Sequence, residues 1–378
     1  MMFELDGWRF FNFPCQVDAE AYEHARKEFV DYYKGVPGVH AIYRFGSVGH
    51  PGLSDLDFIV VLDDEYRGAP GIDYSISPFS NLTKYVLYHP QFFVPRSIFR
   101  YLGLLEPIFE LEHVTGQHCL QAEFPEDERR QMDTLFICES LVTDFAWSIL
   151  GYTALRDVDL RMAQAKLNLV TKNLVLLDRL VGCAPASAGR FTQAVKGLRR
   201  DWFLSSAEET CGRIKHLLQE AGETVSEMAN ALDRYLVESN RFPVLSRNRR
   251  EWPYKHTFLR LVFGSSHSGL HFTKRNGSQA LAVLAPLSLM LPLVYFSSGT
   301  GPLSRYIRNN FECAPPRCGL SSYGTARTMV DAANAHCQFL KAKGIKAGTF
   351  RYFGYNADYF PGIGTLLRLI RRRVRFDR

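Results

Sequence analysis

With 378 residues, 46% of them hydrophobic and 22% charged, the chain has room for two or three domains with proper cores, and its composition excludes disordered and collagen-like classes. The formal net charge of +6 is concentrated at one end: Arg368 to Arg378 hold six Arg and one Asp, leaving the rest of the chain close to +1. A body so near neutrality lacks the broad basic groove that polynucleotides require, so broad nucleic-acid binding is not expected.

The first eight residues carry acidic side chains and no basic region ahead of an apolar run, which argues against a signal peptide. Ala19 to Lys34 has helical patterning, ended by Gly35, Pro37 and Gly38. A strand is predicted over Val39 to Phe45, then a Gly46-Ser47 corner, then a second strand over Asp57 to Leu62. A strand repeats every two residues, so Asp55 and Asp57 project from one face at its head. Two carboxylates on one rigid face repel each other unless a divalent cation lies between them. Oxygen donors suit Mg²⁺, whose coordination is commonly completed by substrate phosphates. The Gly46-Ser47 corner offers backbone N–H groups and a hydroxyl, the donors a phosphate needs.

Apolar strand, Gly-Ser, a short connection and Asp-x-Asp opening a second apolar strand: this arrangement resembles the nucleotidyltransferase superfamily, which includes DNA polymerase beta and the aminoglycoside nucleotidyltransferases. The resemblance implies an α+β fold, with a small mixed sheet backed by helices. It implies that Ser47, with Gly46 and the turn amides, holds the phosphates of an NTP, ATP being the expected donor. It implies that Asp55 and Asp57 bind Mg²⁺ and align the α-phosphate, and Ser54, ahead of the first Asp, also fits the pattern. A third carboxylate would complete the set, and the candidates are Glu110 and Glu112, which share a face of a strand predicted over Ile108 to Val114. The acceptor would be a hydroxyl of a small molecule, glycan or protein. The alternatives are an inactive nucleotide sensor of the same fold and a peripheral membrane protein.

Gly68 to Asn81 reads as a loop, Lys84 to Phe93 as a strand interrupted by Pro90, and Ser97 to Leu105 as a short helix. Boundaries are expected at 1–125 for the nucleotidyltransferase-like domain, 126–240 for a helical domain and 241–378 for a mostly helical region with a basic tail. Helical spacing supports the second: Leu135, Cys138, Leu141, Val142, Phe145 and Ile149 fall on one face, and Leu167, Val170, Leu174, Leu177 and Val181 on another. In the last part, Thr257 to Phe263 could be a strand. Gly264 to Gly269 lacks the spacing of a hydrolase elbow, and Gly299 to Pro302 reads as a turn. Ala280 to Phe296 carries no charge over seventeen residues, but Pro286 and Pro292 favour a buried broken helix over a bilayer span. The arginine tail could lie on anionic lipid or clasp an acidic partner. Eight cysteines without a CxxC pair fit a reduced, cytoplasmic setting. Cys313, Cys318, His336 and Cys337 are poorly spaced for zinc.

Overall fold

The computed structural model describes residues 2–105, 110–140, 149, 152–153, 156–238, 249–254, 257–263, 269–275, 278–285, 332, 335–345 and 347. The arginine tail, Gly299 to Pro302, Gly264 to Ser268, Cys313, Cys318 and the 286–296 part of the uncharged stretch lie outside the described residues.

Strands β1 (Met2–Leu5) and β2 (Trp8–Phe11) form a hairpin at Asp6-Gly7, with Met2 opposite Phe11. Helix α1 (Ala19–Tyr33) starts where the Asp18 side chain accepts from Ala21 N–H, an N-cap bond. Its buried Ala21, Tyr22, Ala25, Phe29 and Tyr33 follow helical spacing. Then come β3 (Val39–Phe45) and β4 (Asp57–Leu62), both within the predicted bounds.

Where a strand was expected over Lys84 to Phe93, there is helix α2 (Asn81–Leu87), followed by β5 (Phe92–Pro95). Two physical causes favour the helix. The Ser80 hydroxyl accepts from Thr83 N–H, and Glu28 of α1 accepts from Ser80 N–H, Ser80 Oγ–H and Thr83 Oγ1–H. Thr83, Val86 and Leu87 are then buried at helical spacing. Short helices α3 (Arg96–Phe99) and α4 (Leu102–Leu105) precede β6 (Leu111–Gly116).

The helical part consists of α5 (Glu126–Ser140), β7 (Asp157–Asp159), α6 (Leu160–Val181), α7 (Ala188–Asp201) and α8 (Ala207–Glu238). Beyond it, the expectation of mostly helix fails over four strands: β8 (Arg249–Tyr254), β9 (Thr257–Phe263), β10 (Gly269–Arg275) and β11 (Ser278–Ala285). They form one sheet in the order β10-β11-β9-β8, so Ala280 to Ala285 belongs to a strand and not to a broken helix. Residues 335–342 are helical again. No helix among the described residues is long and apolar enough to cross a membrane.

The sheet that matters for the site has the order β5-β4-β3-β6, with β4 and β5 parallel and the other pairs antiparallel. The architecture is α+β. Ile42, Phe58, Val60 and Leu62 face a core shared with α1, α2, Leu340 and Ile345. Ala41, Tyr43, Phe45, Ile59 and Val61 face a second core that runs without a break through Trp8 and Phe10 into α6, α7 and α8. Strand β7, from the helical part, completes a three-stranded sheet with the N-terminal hairpin by pairing with β2.

Candidate metal site

Strand β3 runs directly into Gly46, whose φ of +77° is the left-handed region that glycine enters without a Cβ penalty. A Cβ built there would stand 4.0 Å from Asp57 Oδ2, so the corner lies directly against the carboxylate. Asp57 is opposite Phe45 in the β3–β4 register and shares its face, the one turned toward the helical core.

Asp55 follows a tight turn in which Leu53 N–H and Ser54 N–H both donate to His50 O. The turn packs so closely that a Cβ on Gly52 would sit 2.4 Å from Cys15 O. Tyr22 stitches it shut, accepting from Gly52 N–H at 2.9 Å and donating to Ser54 O at 2.5 Å. From α7, the buried Arg199 donates to Ser54 Oγ at 3.2 Å and to Gln164 Oε1, and Gln164 in turn donates to Leu53 O at 2.9 Å. The helical part therefore holds the turn that presents Asp55. Burial pushes the Arg199 pKa down to about 10, opposed by the Asp55 charge.

His89 arrives by a different route. Helix α2 ends in Tyr88, at φ +60° and ψ −41°, and His89 N–H donates to Leu87 O at 2.6 Å. That is a γ-turn with positive φ, a rare and strained conformation for a bulky residue. Two neighbours hold it. The Arg161 guanidinium lies over the Tyr85 and Tyr88 rings at 4.1 and 4.0 Å and donates to Tyr85 O at 2.6 Å. The buried Gln91 donates to His89 O at 2.9 Å and accepts from Phe58 N–H at 2.5 Å, tying the turn to β4 one residue past Asp57.

The imidazole Nδ1–H donates to Pro90 O at 2.9 Å, which aims Nε2 at the carboxylates: 2.9 Å from Asp57 Oδ1 and 3.7 Å from Asp55 Oδ2. Burial, then the Asp55 charge, push the Asp57 carboxyl up to about 6 against the opposing pull of His89 and of Lys172 on α6. Burial works against the His89 charge, but contact with Asp57 prevails and raises its pKa to about 9.

One ligand atom from each of Asp55, Asp57 and His89 lies within 4.8 Å of the others, a set that could hold a metal ion. The fit is supported by the surroundings of Asp57 Oδ1, which is buried and has His89 Nε2 at 2.9 Å in an ion pair without good hydrogen-bond alignment. The carboxylates suit a hard divalent cation, and the imidazole suits a borderline one.

The other expected residues divide. Ser47 is exposed at the corner beside Gly46, whereas Ser54 is buried and engaged by Arg199. Glu110 is exposed, and its carbonyl accepts from Gly46 N–H at 3.0 Å. Glu112 pairs with Arg44 Nη2 at 2.5 Å and stands opposite Arg44 in the β3–β6 register, hence on the face away from Asp57. On the Asp57 face of β6 the register position is filled by Leu111. The structure thus brings Asp55, Asp57 and Gly46 together and adds His89, Lys172 and Arg199, which the sequence reading missed. The signal that could have found His89 was the Ser80 cap, which ends the strand interpretation of that stretch. No family model, curated protein or solved structure matches this chain. What it possesses is a mixed sheet bearing an Asp-Asp-His cluster that could bind a metal.

Proposed function

We propose that the chain is a divalent-metal-dependent nucleotidyltransferase that moves a nucleoside monophosphate from an NTP to a hydroxyl of a small-molecule, glycan or protein acceptor. The observation that carries this reading is the Gly46-Ser47 corner set directly against the Asp57 carboxylate, with Asp55 beside it. Asp55 and Asp57 would hold the ion, Mg²⁺ by the resemblance, which when bound supplies charge neutralisation to the triphosphate. Ser47, exposed at the corner, would donate to a phosphate oxygen, and Lys172 would add positive charge from α6. Gln91 and Arg199 would keep the carboxylates in place, which is where most of the catalysis of phosphoryl transfer resides. In the step itself the acceptor hydroxyl gives up its proton to water, its oxygen bonds to the α-phosphorus, the bond from that phosphorus to the bridging oxygen of the β-phosphate breaks, and pyrophosphate leaves.

A nucleotide sensor without turnover is the second reading, favoured by the placement of Glu112 on the opposite face in a pair with Arg44. One experiment separates the two. The protein is incubated with all four NTPs, a divalent cation and a metabolite extract, and pyrophosphate and product masses are followed. Turnover that vanishes in Asp57→Asn is the expected result. Full activity in that variant would overturn the mechanism. Thermal stabilisation by metal and NTP without any product would leave the sensor reading standing.

A further inference from the structure

We infer that His89 is a metal ligand through Nε2, and that the site is therefore built for a divalent cation that accepts imidazole nitrogen beside carboxylates, Mn²⁺ or a later first-row ion, rather than for Mg²⁺ held by oxygens alone. The inference rests on the metal-site reading above and deepens it by naming the donor set. Three independent observations carry it.

The first is the orientation of the ring. A metal-bound imidazole characteristically gives its other N–H to a backbone carbonyl or a carboxylate, which fixes the tautomer and directs the lone pair. His89 Nδ1 is committed to Pro90 O at 2.9 Å, so Nε2 faces the two aspartates, and an ion bound there would displace the proton that Nε2 shares with Asp57. The second is the strain. Tyr88 is held at φ +60° in a γ-turn, and a bulky residue keeps such a conformation only where its surroundings enforce it. Arg161 and Gln91 supply that enforcement, and its result is to place His89 beside Asp57. The third is the arrangement of carboxylates across the sheet. Of the two carboxylates expected to finish an all-oxygen set, Glu112 is turned to the other face and Glu110 is not grouped with the aspartates, whereas the ring nitrogen of His89 is. Imidazole binds Mn²⁺ and the later first-row ions in preference to Mg²⁺, which dehydrates reluctantly and favours oxygen.

The test uses the full-length protein, stripped of metal and titrated with Mn²⁺ alone. Electron paramagnetic resonance reports the loss of free Mn²⁺ signal, and electron spin-echo modulation reports any nitrogen bound to the ion. Expected are a bound Mn²⁺ with nitrogen modulation in the wild type and loss of that modulation in His89→Asn. Should the variant not fold, ¹⁵N-histidine labelling of the wild type assigns the modulation to an imidazole, and His89 is the one grouped with Asp55 and Asp57 among the described residues. Bound Mn²⁺ without nitrogen modulation would overturn His89 as a ligand, making it a counter-cation, while sparing the aspartate site. Absence of Mn²⁺ binding would overturn the metal site itself, and with it the proposed transferase.

Discussion

Burial decides the behaviour of several single residues here, and His336 shows it most cleanly. Its side chain is inaccessible to solvent, Nε2–H donates to Phe93 O at 2.8 Å, and burial pushes its pKa down to about 4. In the unfolded chain a histidine titrates near ~6.5. Between those values the unfolded state binds more protons than the folded one, so stability present above ~6.5 is lost as pH falls toward 4. The urea midpoint of the wild type should fall across this window. In His336→Gln, which keeps a donor for Phe93 O, the fall should be smaller. Equal falls in both proteins would remove His336 as the cause. The Asp57 carboxyl is raised by the same desolvation, although Asp55 and His89 beside it stay partly exposed.

At the level of elements, the turn from α2 to β5 depends on Gln91, one side chain bridging the backbones of β4 and of the turn. In Gln91→Leu, Phe58 N–H and His89 O lose their partners, and the expected cost is about 1–3 kcal/mol in urea unfolding. Metal affinity should fall roughly 10–100-fold, as when an outer partner of a ligating histidine is removed. Unchanged Mn²⁺ titration in this variant would show that the turn does not position the site. The same turn explains what the sequence disclosed and what it hid. α1 and β3 were legible because their apolar period is readable and Gly or Pro marks their ends, and β4 because Phe58 to Leu62 is one unbroken apolar run. The Asp pair was legible for the same reason, since its position at the head of β4 fixes its face. Over Lys84 to Phe93 the side chains alternate well enough to imitate a strand, and the local Ser80 cap becomes decisive only together with contacts from Glu28, far away in sequence. Local pattern therefore gave a hint of the helix but not the position of His89. The Asp6-Gly7 pair between two apolar runs was a readable hairpin signal that went unused. Glu112 was misplaced for a subtler reason: alternation shows which residues share a face, but not which face a neighbouring strand turns toward the site.

Across the whole molecule, the core that begins at Trp8 and Phe45 continues through Leu167, Phe191 and Leu218, crossing residue 125 without interruption. The site turn depends on Gln164 and Arg199, and the N-terminal hairpin gains its third strand from β7. A fragment ending at residue 125 should therefore lack cooperative unfolding and near-ultraviolet ellipticity. A fragment of that length with a sharp thermal transition would show that the sheet folds without its helical cover.

The bond from His336 to Phe93 joins positions 243 residues apart, and Leu340 and Ile345 arrive on the same apolar face of the sheet. During synthesis at about 5–20 residues per second, the part of that face covered by Leu340 and Ile345 stays open for roughly 10–50 s after β5 has left the ribosome, while α1 and α2 are already available to cover the rest. Tyr33 and Tyr74 can pack on the Phe93 ring in that interval, but its carbonyl still waits for His336. The layer is thus closed last by its distal helix, and until then that one patch is open to aggregation.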